Sequence, residues 1–174
     1  MSREELLRKR IRDVPDFPEP GIVFKDITPL LQDREALELA CELLAEPYVD
    51  ARVDLVVGIE SRGFIFGPPV ALRLGAGFAP VRKQGKLPWR TVQQSYALEY
   101  GEDVVELHED AVTPGQRVLI VDDLIATGGT AVATAQLVRK MGALVIGKSF
   151  LIELGALNGR GKLHTSDVHA VLTY

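Results

Sequence analysis

Cysteine is nearly missing from this 174-residue chain; Cys41 stands alone. An intramolecular disulfide is therefore impossible, and a reducing, cytoplasmic setting is expected. Histidine is sparse and scattered, at His108, His164 and His169, which with one cysteine excludes a protein-built zinc site of the usual kind. An excess of positive charge is absent too. Lys and Arg total 20 against 24 Asp and Glu, a net charge of −4, which is not the balance of a general nucleic-acid binder. No apolar run approaches the roughly 18–20 residues needed to span a bilayer. The start, Met-Ser-Arg-Glu-Glu, carries acids and lacks an apolar core, so no secretory leader is expected. The remaining composition is ordinary for a soluble globular chain: 47% apolar and 25% charged residues, without repeats. One domain over residues 1–174 is expected.

Apolar spacing and breakers place the elements. Glu4 to Arg12 reads as a short charged helix. Pro15, Pro18 and Pro20 then favour an extended segment up to Gly21. Asp33 to Glu46 repeats Ala36, Leu37, Ala40, Cys41 and Leu44 at helical spacing, with Asp33 as N-cap and Pro47 past the end. Cys41 reads as small buried filler there. Val53 to Ile59 predicts a buried parallel strand, Phe64 to Leu74 a helix and Phe78 to Arg82 another strand. Gln84 to Gln94 is polar, holds Gly85 and Pro88, and reads as a mobile loop, with a strand from Ser95 to Tyr100 on its far side. Arg117 to Val121 is the cleanest strand, followed by an Ala-rich helix from about Thr130 to Met141 that Gly142 closes. Strands at Leu144 to Glu153 and Val168 to Thr173 complete an α/β pattern with a parallel sheet.

One motif matches in letters only. Gly142-Ala-Leu-Val-Ile-Gly147-Lys148-Ser149 fits G-x-x-x-x-G-K-[ST], a phosphate loop that works only as a flexible turn between strand and helix. Its four central residues are apolar, and the next segment, Ser149-Phe-Leu-Ile-Glu153, reads as strand. The motif is expected to be a helix stop followed by a strand.

The strongest feature is Val118-Leu-Ile-Val-Asp122-Asp123-Leu-Ile-Ala-Thr127-Gly128-Gly129-Thr130. A buried strand ends in two acids, and a turn of small residues opens a helix. Ligands of open α/β sheets bind beyond the carboxyl ends of the strands. Small residues let backbone amides close on a phosphate, the helix N-terminus adds partial positive charge, and Thr127 and Thr130 add hydroxyl donors. Two acids beside a phosphate cradle make sense if the ligand also offers sugar hydroxyls, or a Mg²⁺ held between acids and phosphates. A phosphorylated ribose fits both. The bland alternative is a strand followed by an acidic helix cap.

This run closely resembles the phosphoribosyl diphosphate (PRPP) signature of type I phosphoribosyltransferases. Further blocks resemble the adenine-using members of that family, in order: Pro15-Asp-Phe-Pro-x-Pro-Gly21-Ile-Val-Phe-Lys-Asp-Ile-Thr, Gly58-Ile-Glu-Ser-Arg-Gly-Phe64, Arg82-Lys83-x-Gly-Lys86-Leu-Pro88 and Tyr96-x-Leu-Glu99-Tyr100-Gly101. They cover most of the chain from Arg12 to Leu154. The resemblance implies a central, mostly parallel sheet flanked by helices. It also implies a small N-terminal arm or hood over about residues 1–32 that contributes to the base site, and a flexible lid over about residues 84–95. The implied reaction is adenine plus PRPP giving AMP and diphosphate, with Mg²⁺ and an oxocarbenium-like transition state.

The resemblance also implies roles. Ala126, Thr127, Gly128, Gly129 and Thr130 would cradle the 5-phosphate, and Asp122 and Asp123 would face the ribose hydroxyls. Ser61, Arg62 and Gly63, with Arg82, Lys83 and Lys86, would hold the diphosphate, and the Glu60–Ser61 peptide would be cis. Arg62 would also act in catalysis. Glu99 would exchange a proton with the purine at N7, and Tyr100 would help order the lid. Val23, Phe24, Lys25 (often Arg in the family) and Ile125 would contact the base. The metal would be held mainly by PRPP and water, near Asp122 and Asp123, and the protein would be a homodimer. Two other readings stay open: transfer to another purine base, and a PRPP-sensing regulator without turnover. The charge distribution agrees with a local polyanion site, because Ser61 to Leu98 holds six basic side chains and no acid in a chain of net charge −4.

Overall fold

The apolar run from Val118 to Val121 is completely buried in an interior strand of a seven-stranded sheet. The structure, a computed structural model, describes residues 2–98, 101–163 and 167–174. By its internal contacts the chain divides into two compact units, residues 1–43 and 44–174.

The first unit starts with helix α1 (Arg3–Arg8), closed at its N-terminus by a reciprocal capping box between Ser2 and Glu5. Strands β1 (Arg12–Pro15) and β2 (Val23–Asp26) form an antiparallel pair with Arg12 opposite Asp26 and Pro15 opposite Val23. The proline-rich stretch between them includes a cis Phe17–Pro18 bond. Helix α2 (Thr28–Gln32) and most of α3 (Arg34–Ala45) complete the unit. Asp33 caps α3 as its position predicts, its Oδ1 accepting from the Glu35 and Ala36 amides at 3.1 Å each. Cys41 is buried, as expected of a filler.

The second unit is built on the sheet. Its elements are β3 (Leu55–Ile59), α4 (Gly63–Leu74), β4 (Gly77–Lys83), β5 (Thr91–Ala97), β6 (Glu102–His108), β7 (Arg117–Ile125), α5 (Gly129–Lys140), β8 (Leu144–Glu153), α6 (Gly159–Lys162) and β9 (Val168–Thr173). The strand order is β5-β6-β4-β3-β7-β8-β9. Pairs among β4, β3, β7, β8 and β9 are parallel, whereas β6 pairs antiparallel with both β4 and β5. Helix α5 packs Ala133 and Leu137 into a core with Val57, Ile59, Val118 and Ile120. Helix α4 takes the other face, where Gly58 and Gly67 leave room for the Phe78 ring; a Cβ at either would come within 2.8 Å of it. Successive residues such as Val57 and Gly58 face opposite ways along a strand, so the two helices cover opposite sides.

Two expectations need correction. The polar loop expected from Gln84 to Gln94 ends earlier, because β5 already begins at Thr91. Val92 and Tyr96 alternate inward and pack against the core, giving the segment the period of a half-buried strand. The strand expected from Ser95 to Tyr100 therefore starts earlier and is described as far as Ala97; Glu99 and Tyr100 lie outside the described residues. Nothing in the apolar pattern announces strand β6, since Glu102, Asp103 and Glu106 mask its apolar residues Val104, Val105 and Leu107.

The phosphate-loop look-alike is strand, as expected. Leu144 to Ser149 lies in β8, Lys148 is buried, and the Tyr48 ring lies so close to Gly147 that a Cβ there would meet it at 2.2 Å. Tyr48 Oη donates to the Lys148 carbonyl at 3.3 Å. Among the described residues no helix is long and apolar enough to cross a membrane.

Candidate active site

Strands β3 and β7 lie side by side and run parallel, so their carboxyl ends share one edge of the sheet. From β3 the chain winds outward to β4, and from β7 it winds the other way to β8. The crevice at such a divergence is where open α/β sheets hold ligands. A cleft of about 340 Å³ lies there, lined by Glu60 to Arg62 after β3, by Asp122 to Ala131 from β7 into α5, and by Phe150.

The turn between β7 and α5 has the form of an anion cradle. Gly128 has a φ of +81°, which a side chain rarely tolerates, and it caps the N-terminus of α5. Gly159 presses on it from α6; a Cβ on Gly159 would fall 2.2 Å from the Ala126 carbonyl oxygen. The first amides of α5 have no partner within the helix, and they carry the positive end of its dipole.

The acids at the end of β7 are packed tightly. Asp122 Oδ1 accepts from the Asp123 amide at 2.9 Å, and Gly63 leaves only enough room for it, since a Cβ there would approach Oδ1 to 2.8 Å. Burial pushes the Asp122 carboxyl well above the ordinary range, and the charge on Asp123 adds to this. Burial also raises Asp123, against the pull of Arg62. Asp123 Oδ2 is buried without an aligned hydrogen bond, and Arg62 Nε faces it at 2.8 Å as counter-charge. Among the described residues no three His, Cys, Asp or Glu side chains form a metal-binding group. A pair of carboxylates beside a phosphate cradle fits Mg²⁺, which takes one or two carboxylates and completes its shell with phosphate oxygens and water.

The basic residues meet acids from outside their own segment. Arg82 Nε lies 3.2 Å from Glu60 Oε2, and Lys86 pairs with Glu60 Oε1. Burial works to raise the Glu60 carboxyl, but bonds from Lys86, the Lys83 amide and Arg82 outweigh it and hold it below its ordinary value. Lys83 pairs with Asp103 and Tyr96. Burial opposes its charge, yet these two partners keep its ammonium above its ordinary value. The Glu60–Ser61 peptide is cis.

Of the residues singled out from the sequence, the structure brings Ser61, Arg62, Asp122, Asp123, Ile125, Ala126, Thr127, Gly128, Gly129 and Thr130 to this one cleft. Gly63 touches Asp122, and Arg82, Lys83 and Lys86 join the cleft edge through Glu60. The side chain of Ile125 is packed in a core with Ala131, Phe150 and Leu163. Val23, Phe24 and Lys25 lie on β2 in the first unit, where Lys25 Nζ meets Asp13 at 2.6 Å and Phe24 packs edge-on against Phe17. Glu99 and Tyr100 fall outside the described residues. Sequence reasoning did not single out Glu60, Tyr96, Asp103 or Gly159 as site residues. Glu60 and Tyr96 stood inside blocks that carried the resemblance, and Gly159 stood in the glycine-rich run Gly155-Ala-Leu-Asn-Gly-Arg-Gly161; Asp103 carried no local signal.

Comparison with known proteins agrees with this geometry. The phosphoribosyl transferase domain family matches residues 30–165. An adenine phosphoribosyltransferase from Thermobifida fusca is 56% identical over 168 residues, covering 97% of this chain and 96% of that protein. The crystal structure of an adenine phosphoribosyltransferase from Rhodothermus marinus superposes with a TM-score of 0.94 at 57% identity, covering 99% of this chain and 98% of the other. The Saccharomyces cerevisiae enzyme, crystallised with an imino-altritol bisphosphate and adenine, gives 0.92 at 40% identity, with 98% of both chains covered. A cleft built from an acidic strand end and a glycine turn, on a chain this similar, places the protein in the phosphoribosyltransferase family, among the adenine phosphoribosyltransferases.

Proposed function

We propose that this chain transfers the 5-phosphoribosyl group of PRPP to N9 of adenine, releasing diphosphate and giving AMP, a purine-salvage reaction. The observation that carries this reading is one cleft that unites a glycine turn at a helix N-terminus, two carboxylates and an arginine.

The chemistry divides among named groups. Amides from Ala126 to Thr130, with the Thr127 and Thr130 hydroxyls, hold the 5-phosphate. Asp122 and Asp123 accept from the ribose 2′- and 3′-hydroxyls and set negative charge where the sugar becomes cationic as diphosphate leaves. Ser61, Arg62 and Gly63 receive the diphosphate, joined by Arg82, Lys83 and Lys86 as it draws them from Glu60 and Asp103. Asp122 and Asp123 would stand beside a Mg²⁺ carried by PRPP and water. When bound, that ion neutralises diphosphate charge. Glu99 manages the purine proton at N7, and Tyr100 orders the lid over the occupied site, keeping water from PRPP. Val23, Phe24 and Lys25 contact the base; the Ile125 side chain, packed in the core, is not assigned to it. The Lys25 ammonium is engaged by Asp13, which supports a main-chain role for this residue. The family resemblance supports a homodimer, and the lone buried cysteine supports a cytoplasmic setting.

Three outcomes test this reading. Purified protein with PRPP and Mg²⁺, given adenine, hypoxanthine or guanine in turn, will form nucleotide from adenine. Turnover of a 6-oxopurine without adenine would reassign the base, and PRPP binding without turnover of any base would make the chain a regulator. Glu99→Gln is expected to lower kcat by at least ~100-fold with PRPP affinity largely kept; an unchanged kcat removes Glu99 from the mechanism.

The third concerns pH. The Asp122 carboxyl is raised in the folded state, so between the ordinary carboxylate range and the raised value the fold holds a proton that the unfolded chain has lost. Stability therefore falls as pH rises through that window. Asp122→Asn removes this cost. The variant should melt higher than the native chain in neutral buffer, with the gain vanishing below about pH 3, where both states are protonated. Its turnover should drop at least about tenfold. A variant that melts lower at neutral pH would contradict the assignment.

A further inference from the structure

Tyr96 has no assigned part in the reaction, yet its hydroxyl joins three elements around the cleft. It accepts from Lys83 Nζ at the end of β4 and from Thr130 Oγ1 at the start of α5, the latter at 3.1 Å. It donates to Asp103 Oδ2 of β6 at 3.0 Å. A phenol has one proton and two lone pairs, so this set uses its full capacity. The ring is engaged as well. Lys83 Nζ lies 5.1 Å from its centroid, and a Cβ on Gly129 would sit 3.3 Å from its Cδ2, so the ring lies directly on the anion turn.

The three partners differ in kind. Thr130 belongs to the turn assigned to the 5-phosphate, and Lys83 to the basic group assigned to the diphosphate. Asp103 is the counter-charge that fixes the Lys83 ammonium. One oxygen therefore sets the spacing between groups that serve opposite ends of PRPP. Each flexible side chain would otherwise be ordered at the moment of binding, a cost that a preformed clasp removes.

We propose that Tyr96 is a positioning residue: its hydroxyl holds Thr130 and Lys83 in register before PRPP binds. The inference rests on the phosphoribosyl-transfer reading of the cleft. Strand β5 also leads in sequence toward Glu99, three residues on, so the clasp ties the phosphate turn to the strand that precedes the proposed proton carrier.

Tyr96→Phe deletes the hydroxyl and keeps the ring. PRPP affinity, measured by calorimetry in Mg²⁺ buffer, is expected to weaken about five- to tenfold, the effect of losing one or two ordinary hydrogen bonds. KM for adenine should stay within about twofold. In Lys83→Met and Thr130→Val backgrounds the further loss from Tyr96→Phe should shrink below about twofold, because partners acting through one oxygen are not additive. A role confined to fold stability would lower the melting temperature and leave PRPP affinity of the folded fraction unchanged. That result, or an undiminished loss in both backgrounds, overturns the inference. A native chain that binds no PRPP would instead defeat the underlying functional reading, and the inference with it.

Discussion

Two neighbouring carboxylates confined at the end of strand β7 set the terms for everything around them. Asp122 and Asp123 repel each other and have lost much of their hydration, and both are pushed toward the protonated state. The surrounding geometry leaves them little room to relax. Gly63 presses on Asp122 Oδ1, and Arg62 supplies Asp123 with a counter-charge. The same strand end opens directly into the glycine turn and the positive end of α5. Such a costly pair suits the proposed ligand, which would bring hydroxyl donors, positive charge developing on a sugar, and a metal carried on its phosphates.

The positive side of the site shows the same logic. Six basic residues without an acid, from Ser61 to Leu98, suggest an open cationic patch. In the fold, five of them meet acids from elsewhere: Arg62 with Asp123, Arg82 and Lys86 with Glu60, Lys83 with Asp103 and Arg90 with Glu109. The cleft therefore keeps its cations in stored pairs. In the proposed reaction a diphosphate would compete for them with its own, denser charge, and Glu60 and Asp103 would receive them back when it leaves. The cations of the cleft pairs keep a third to a half of their side chains exposed, so an entering anion can reach them.

Much of this was legible in the residues. The apolar run before Asp122-Asp123 and the small-residue turn after it specify a strand, a cradle and a helix start with no tertiary information, and Asp33 announces its own helix cap. The false phosphate loop at Gly142 to Ser149 was separable because its central residues are strand formers. Other features were hidden because they depend on partners far along the chain. The acids of β6 look like solvent-facing loop until Lys83 and the Gly85 amide are placed against Asp103 and Glu106. Tyr96 reads as one aromatic in a polar stretch until Thr130 arrives from another element. Gly159 matters only because α6 is brought against the turn at Gly128. Glu99 and Tyr100 rest on resemblance alone, since they fall outside the described residues.

The most direct measurement is a titration of the Asp122 and Asp123 carboxyl carbons by ¹³C NMR, with and without PRPP in Mg²⁺ buffer. In the free chain the pair should lose its protons above the ordinary carboxylate range of about 4. On PRPP binding the midpoints should fall, as sugar hydroxyls and metal charge favour the ionised forms. Ordinary midpoints in the free chain, unmoved by PRPP, would contradict the claim that this confined acidic pair is the centre on which the site is built.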